Sequence, residues 1–160
     1  MADMYMRSLA STDAAQAGNT TNVKVPSLSG QGATVTLTAA QSGTTCLFDR
    51  AAGIVYTLPA PAAGLKFRFI TTVAVTLNAN TVVTDAATTF LLGAAQVGIA
   101  AGTGSLFIAD GTSHIKVTSN GSTTGGLKGS IYDVECVDGT HWNVSGQLIG
   151  SGTVATPFST

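Results

Sequence analysis

Apolar and polar positions alternate with a period of two from residue 33 onward, the spacing of strands that bury one face. Val35 and Leu37 alternate with threonines at 34, 36 and 38. Cys46–Arg50 reads as a strand between turns at 41–43 and 51–53. Ile54, Tyr56 and Leu58 alternate with Val55 and Thr57, and Pro59 and Pro61 stop that strand, because proline cannot donate to a ladder. Leu65, Phe67 and Phe69 alternate with Lys66, Arg68 and Ile70. The Phe67/Phe69 pair is the densest apolar feature and is taken as the core seed. Val73, Val75 and Leu77 continue the pattern, and Val82–Val83 adds a short strand.

The segment 89–101 is apolar but aperiodic, and its glycines argue against a helix, so it is expected to be a loop with short strand pieces. Two Asp-Gly turns follow, a strong hairpin signal between alternating runs. The first, at Asp110-Gly111, is expected to join 105–109 to 114–118, and the second, at Asp138-Gly139, to join 130–137 to 141–149. In the second, Tyr132, Val134, Cys136, Trp142, Val144 and Leu148 share one face, with Asp133, Glu135, Asn143, Ser145 and Gln147 on the other. Eight to ten short strands with regular turns predict an all-β fold, namely an antiparallel, jelly-roll-like β-sandwich over 32–149.

Residues 1–31 hold no sustained period, apart from a helical turn at 3–10, and read as an extended N-terminal arm. Met4, Tyr5, Met6 and Leu9 cluster at its start and are expected to lie on a neighbouring subunit, with packing back on the chain's own sandwich as the alternative. Residues 150–160 read as a polar C-terminal tail with Val154, Pro157 and Phe158 as its apolar exceptions. Tyr5, Phe107 and Phe158 are expected to be free of the core, and Phe158 is a candidate interface residue.

Composition narrows the functional classes. Of 160 residues only 9% are charged, against roughly 25% in an ordinary soluble domain, and the net charge is −1. A basic footprint for nucleic acid is absent, no apolar run reaches the length of a membrane-spanning helix, and the N-terminus lacks the pattern of a secretory signal. Sparse, balanced charge suits a subunit covered within an assembly, with a threonine- and serine-coated β-protein as the plainer alternative.

The candidate chemistry is thin, and no cofactor is expected. His114 and His141 each follow an Asp-Gly-Thr turn, an internal similarity rather than a ligand pair. No nucleophile elbow or phosphate-binding loop is present. Cys46 and Cys136 read as two buried thiols, with a single disulfide as the alternative if their strands are neighbours. Asp133 and Glu135 sit two apart on one strand face, the spacing but not the opposed placement of a glycosidase pair. Lys66 and Arg68 match them in spacing and oppose them in sign. These four pair across neighbouring strands or across a subunit interface, or are unrelated surface charges.

Three C-terminal segments carry a resemblance: Thr123-Thr124-Gly125-Gly126-Leu127-Lys128-Gly129, Trp142-Asn143-Val144-Ser145-Gly146, and Gly152-Thr153-Val154-Ala155-Thr156-Pro157-Phe158. Together with the Leu58-Pro59…Gly64…Phe67-Arg68-Phe69 block, they resemble the capsid decoration (cement) proteins of tailed phages over roughly residues 45–160. The resemblance implies a non-enzymatic, usually trimeric β-sandwich on the outer surface of the virion, made in the host cytoplasm, with the major capsid protein as partner. Its competitors are a phage tail or fibre module, a carbohydrate-binding β-sandwich and a small hydrolase.

Overall fold

A computed structural model describes residues 27–160. Met4, Tyr5, Met6, Leu9 and the helical turn expected at 3–10 lie outside the described residues. The described residues are all-β apart from a single 3-10 turn at Ala39–Gln41. Its strands are β1 (Ser27–Leu28), β2 (Thr34–Thr36), β3 (Thr45–Phe48), β4 (Val55–Thr57), β5 (Lys66–Thr71), β6 (Asn80–Val83), β7 (Phe90–Ile99), β8 (Gly104–Asp110), β9 (Lys116–Ser119), β10 (Ile131–Cys136), β11 (His141–Gly150) and β12 (Phe158–Ser159). A seven-stranded sheet runs β1-β3-β5-β10-β11-β7-β8, and a five-stranded sheet runs β12-β9-β6-β4-β2. Both the first and the last described strands belong to sheets, inside the segments expected to be arm and tail.

The ladders are mixed, not antiparallel as expected. Up to β6 the chain alternates between the sheets, and each strand lies parallel on the one laid down a coil earlier. Residues 27–83 therefore wind like a solenoid, with roughly 20 residues per coil. Leu28, Cys46 and Phe69 stack in register on one side, and Val35, Tyr56 and Val82 on the other. From β8 onward every ladder is antiparallel except that of β11 with β7.

The core lies between the two sheets. Phe48, Phe67, Phe69, Tyr132, Val134 and Trp142 of the larger sheet meet Tyr56, Val82 and Val117 of the smaller. Across this seam the Tyr56 ring sits 5.3 Å from that of Phe48 and 5.6 Å from that of Phe69, in edge-on and tilted arrangements that aromatic quadrupoles favour. The inward positions read from the alternation at 54–58, 67–69 and 132–148 are all buried at their apolar residues.

Three expectations are corrected. The segment 89–101 contains β7, one of the two longest strands, beside β11. Leu91, Ala95 and Val97 point inward, while its outward positions are also largely apolar, so alternation is invisible. Residues 73–77 form a connection instead of a strand. Only Val75 is buried, and the amides of Val73 and Thr76 donate to Phe48 and Ala51. The Asp110-Gly111 turn does not close a hairpin: β8 and β9 belong to different sheets. Beyond that turn Leu91 donates to the His114 carbonyl and Ile115 to that of Ser159, which diverts the chain to the second sheet. The Asp138-Gly139 turn does close its hairpin, with Cys136 opposite Trp142.

Candidate interaction surface

The outward face of the seven-stranded sheet gathers the predicted charged residues. The register aligns Thr45, Arg68, Asp133, Ser145, Ala94 and Ile108 in one row across six strands. A second row holds Lys66, Glu135, Asn143, Leu92 and Asp110. A third holds Leu47, Ile70, Ile131, Gln147, Gln96 and Leu106. The face is thus charged over β5 and β10, and apolar toward the β8 edge.

Lys66, Arg68, Asp133 and Glu135 pair across neighbouring strands of one chain, the first of the arrangements considered from the sequence. Arg68 donates to Asp133 twice, Nε to Oδ1 at 2.7 Å and Nη2 to Oδ2 at 3.0 Å. Lys66 Nζ lies 3.0 Å from Glu135 Oε1. The hydrogen bond to Asp133, reinforced by its charge, holds the Arg68 guanidinium pKa above its ordinary value. All four side chains face solvent, so each pair contributes no more than about 1 kcal/mol. Their role here is to leave an ordered pattern of alternating charge without net charge. The pairs line an open hollow of about 510 Å³ whose rim also includes Gly43, Thr45 and Ser145. Asp133 and Glu135 stand side by side on β10 rather than facing one another across a cleft.

The other titratable groups serve the turns. Asp110 Oδ1 accepts from the amides of Thr112 and Ser113, and Oδ2 from the Ser113 hydroxyl. Led by the Ser113 bond, these hold its carboxyl well below the usual carboxylate range. Asp138 Oδ1 accepts from the Thr140 and His141 amides, and its Oδ2 meets His141 Nδ1 at 2.8 Å. The Thr140 amide, followed by the His141 ring, lowers its pKa to about 2. His114 Nδ1 accepts from the Asp110 amide and His141 Nδ1 meets Asp138, so each imidazole belongs to its own turn, with Phe158 and Phe90 beside the two rings. No cluster of three or more potential metal ligands occurs among the described residues.

Cys46 and Cys136 are both free and buried. They lie on β3 and β10 with β5 between them, which separates the strands by roughly 9–10 Å, beyond disulfide reach. Burial pushes the Cys46 thiol up to about 12 and raises that of Cys136.

Phe158, expected to be free for an interface, is only 3% exposed; its strand pairs with β9, and its ring packs in the chain's own core. Phe107 is half-buried against the same core. What sequence reasoning missed is the apolar edge. Leu106 and Ile108 are 64% and 62% exposed on β8. The signal was in the sequence, since an apolar residue on each face of Ser105–Ala109 is one more than a half-buried strand needs.

The segments that carried the family resemblance come together. Ala155 donates to the Thr123 carbonyl at 2.8 Å, Ser151 to that of Ser122 at 3.0 Å and Leu127 to that of Ile149 at 3.0 Å. A Cβ on Gly125 would lie 2.6 Å from that of Leu148, so the glycine-rich segment lies directly on β11. No family model, curated protein or solved structure matches the chain.

Proposed function

We propose that this chain is a structural virion protein that cements the outer surface of an icosahedral phage capsid by bridging major capsid subunits. The observation that carries this reading is the convergence of the resemblance segments. Residues 123–129 and 152–158, far apart in sequence, form one corner joined by the Ala155–Thr123 bond and seated on the end of β11. Sparse charge, paired on the outward sheet face, is consistent with a subunit that lies flat against a protein shell. In this reading the protein is a homotrimer assembled from subunits made in the host cytoplasm, its partners are itself and the major capsid protein, and it performs no catalysis. The jelly-roll comparison belongs to this reading too, with mixed ladders in place of antiparallel ones.

The alternative is a tail or fibre module, or a carbohydrate-binding domain. The parallel winding of β1 to β6 favours the fibre version, because solenoid coils extend naturally along an axis. A sugar platform would use exposed aromatic rings, and no aromatic side chain among the described residues is exposed.

The test is addition of the purified protein to undecorated capsids of the phage that encodes it. Saturable occupancy in electron micrographs and a higher temperature of capsid disruption are expected. Absence of binding at micromolar protein, with binding to purified tails or to glycans instead, overturns the cement reading.

A further inference from the structure

We propose that the free edge of β8 is the receptor for the N-terminal segment of a neighbouring copy, which joins the sheet as an added strand. Among the described residues β8 is the last strand of the seven-stranded sheet. An edge strand presents a row of backbone donors and acceptors that another strand can match, and proteins ordinarily guard such edges with lysine, proline or a bulge. The β8 sequence Gly-Ser-Leu-Phe-Ile-Ala-Asp has none of these residues. Its one charge, Asp110, is engaged in its own turn. Leu106 and Ile108 stand outward beside Gln96 and Ala94, offering apolar side-chain contacts to whatever pairs with the edge. Backbone pairing plus alternate side-chain contacts is how a sheet edge recognises an extended strand.

The occupant follows from where the described chain begins. Residues 1–26 precede Ser27; they carry two acids, Asp3 and Asp13, balanced by two bases, Arg7 and Lys24, and their apolar residues Met4, Tyr5, Met6 and Leu9 gather near the start. That composition fits a neutral apolar edge. Ser27 lies in β1, at the opposite edge of the same sheet, about 29 Å from β8 across six strand spacings. A segment of this length spans up to about 86 Å when extended. To reach β8 of its own chain it would have to turn back across, or around, the full width of the sheet. A neighbour placed side by side needs no such crossing, because its β1 edge faces the β8 edge of the first copy. Each copy then carries one donor and one receptor at opposite edges, a head-to-tail contact that closes into a ring when the rotation between copies divides a full turn and otherwise runs on as a filament. The inference holds whether or not the assembly sits on a capsid.

Complementation between full-length variants tests it by sedimentation velocity at micromolar concentration, without capsids. One variant carries Leu106→Lys and Ile108→Lys, the other Met4→Lys and Met6→Lys. Wild-type protein is expected to assemble, and each variant alone to sediment as monomer. An equimolar mixture of the two is expected to form a 1:1 heterodimer, since one intact donor meets one intact receptor. A mixture that stays monomeric means that the segment docks within its own chain, and overturns the proposal. So does a Met4/Met6 variant that assembles like wild type, as symmetric pairing of two β8 edges would allow. Assembly of the Leu106/Ile108 variant, or a monomeric wild type, also overturns it. Melting curves verify folding, and Ile108→Thr, which keeps strand propensity, replaces the lysines if they disturb it.

Discussion

Phe69 and Tyr132 face each other across the β5–β10 ladder with ring centroids 5.3 Å apart and planes inclined by 24°. Phe69 is also stacked on Phe48 and tilted against Tyr56, so one ring links the solenoid coils, the C-terminal hairpin and the opposite sheet. Phe69→Ala is therefore expected to cost about 3–5 kcal/mol, and Trp142→Ala a similar amount. That is most of the stability of a small domain. Urea unfolding monitored by circular dichroism measures both. A midpoint equal to wild type would contradict the inward assignment of these faces.

The Tyr132 hydroxyl is buried, and no group among the described residues hydrogen-bonds it. Burial first, and then the neighbouring Cys46 and Tyr56, drive its pKa well above the ordinary phenol value. Removing an unpaired buried hydroxyl relieves its desolvation while leaving the ring stack intact. Tyr132→Phe is expected to raise stability by about 1 kcal/mol, seen as a higher melting temperature. A loss of stability would show that the hydroxyl has a partner in solution.

Gly93 adopts φ +103° in the middle of β7, and a Cβ there would sit 2.3 Å from the Val144 carbonyl oxygen. Both the backbone conformation and the approach of β11 require glycine. Gly93→Ala is expected to destabilise by about 2–4 kcal/mol, combining left-handed strain with overpacking. Gly98→Ala on the same strand meets open space. It serves as the control, with a far smaller effect in the same denaturation experiment.

The Asp138 turn makes part of the stability acid-labile. Its carboxyl falls from the ordinary 3.8 to about 2 on folding, so the folded state prefers the ionised form. The associated stability is fully present above about 4 and is lost as pH falls from there toward 2. Asp110, lowered in the same direction, adds to the same trend. In Asp138→Asn the dependence of melting temperature on pH between 4 and 2 is expected to be shallower than in wild type. Its deficit relative to wild type at pH 6 should narrow at pH 2. Parallel curves for the two proteins would rule out Asp138 as a source of acid sensitivity.

Local alternation determined the strand class and the inward residues, because a period of two depends only on neighbours along the chain. Ile54, Tyr56 and Leu58, the Phe67/Phe69 pair and the Tyr132–Trp142 hairpin were legible for that reason, and the matched spacing of Lys66/Arg68 with Asp133/Glu135 was legible with them. Partner choice was not, because it is settled between residues far apart. The repeat that stacks Leu28, Cys46 and Phe69 is spread over unequal coils and unlike side chains, so no self-similar motif marks it. β7 was hidden because its outward face is apolar too. The two Asp-Gly turns bind their own backbones alike, yet one closes a hairpin and the other passes to the second sheet. The difference lies in distant hydrogen bonds to Leu91 and Ser159. Burial of Phe158 followed from the pairing of the last strand with β9, and exposure of Leu106 and Ile108 from the end position of β8. Sequence patterning determined which side chains each strand turns inward, and only tertiary pairing decided which strands meet and which edge is left open.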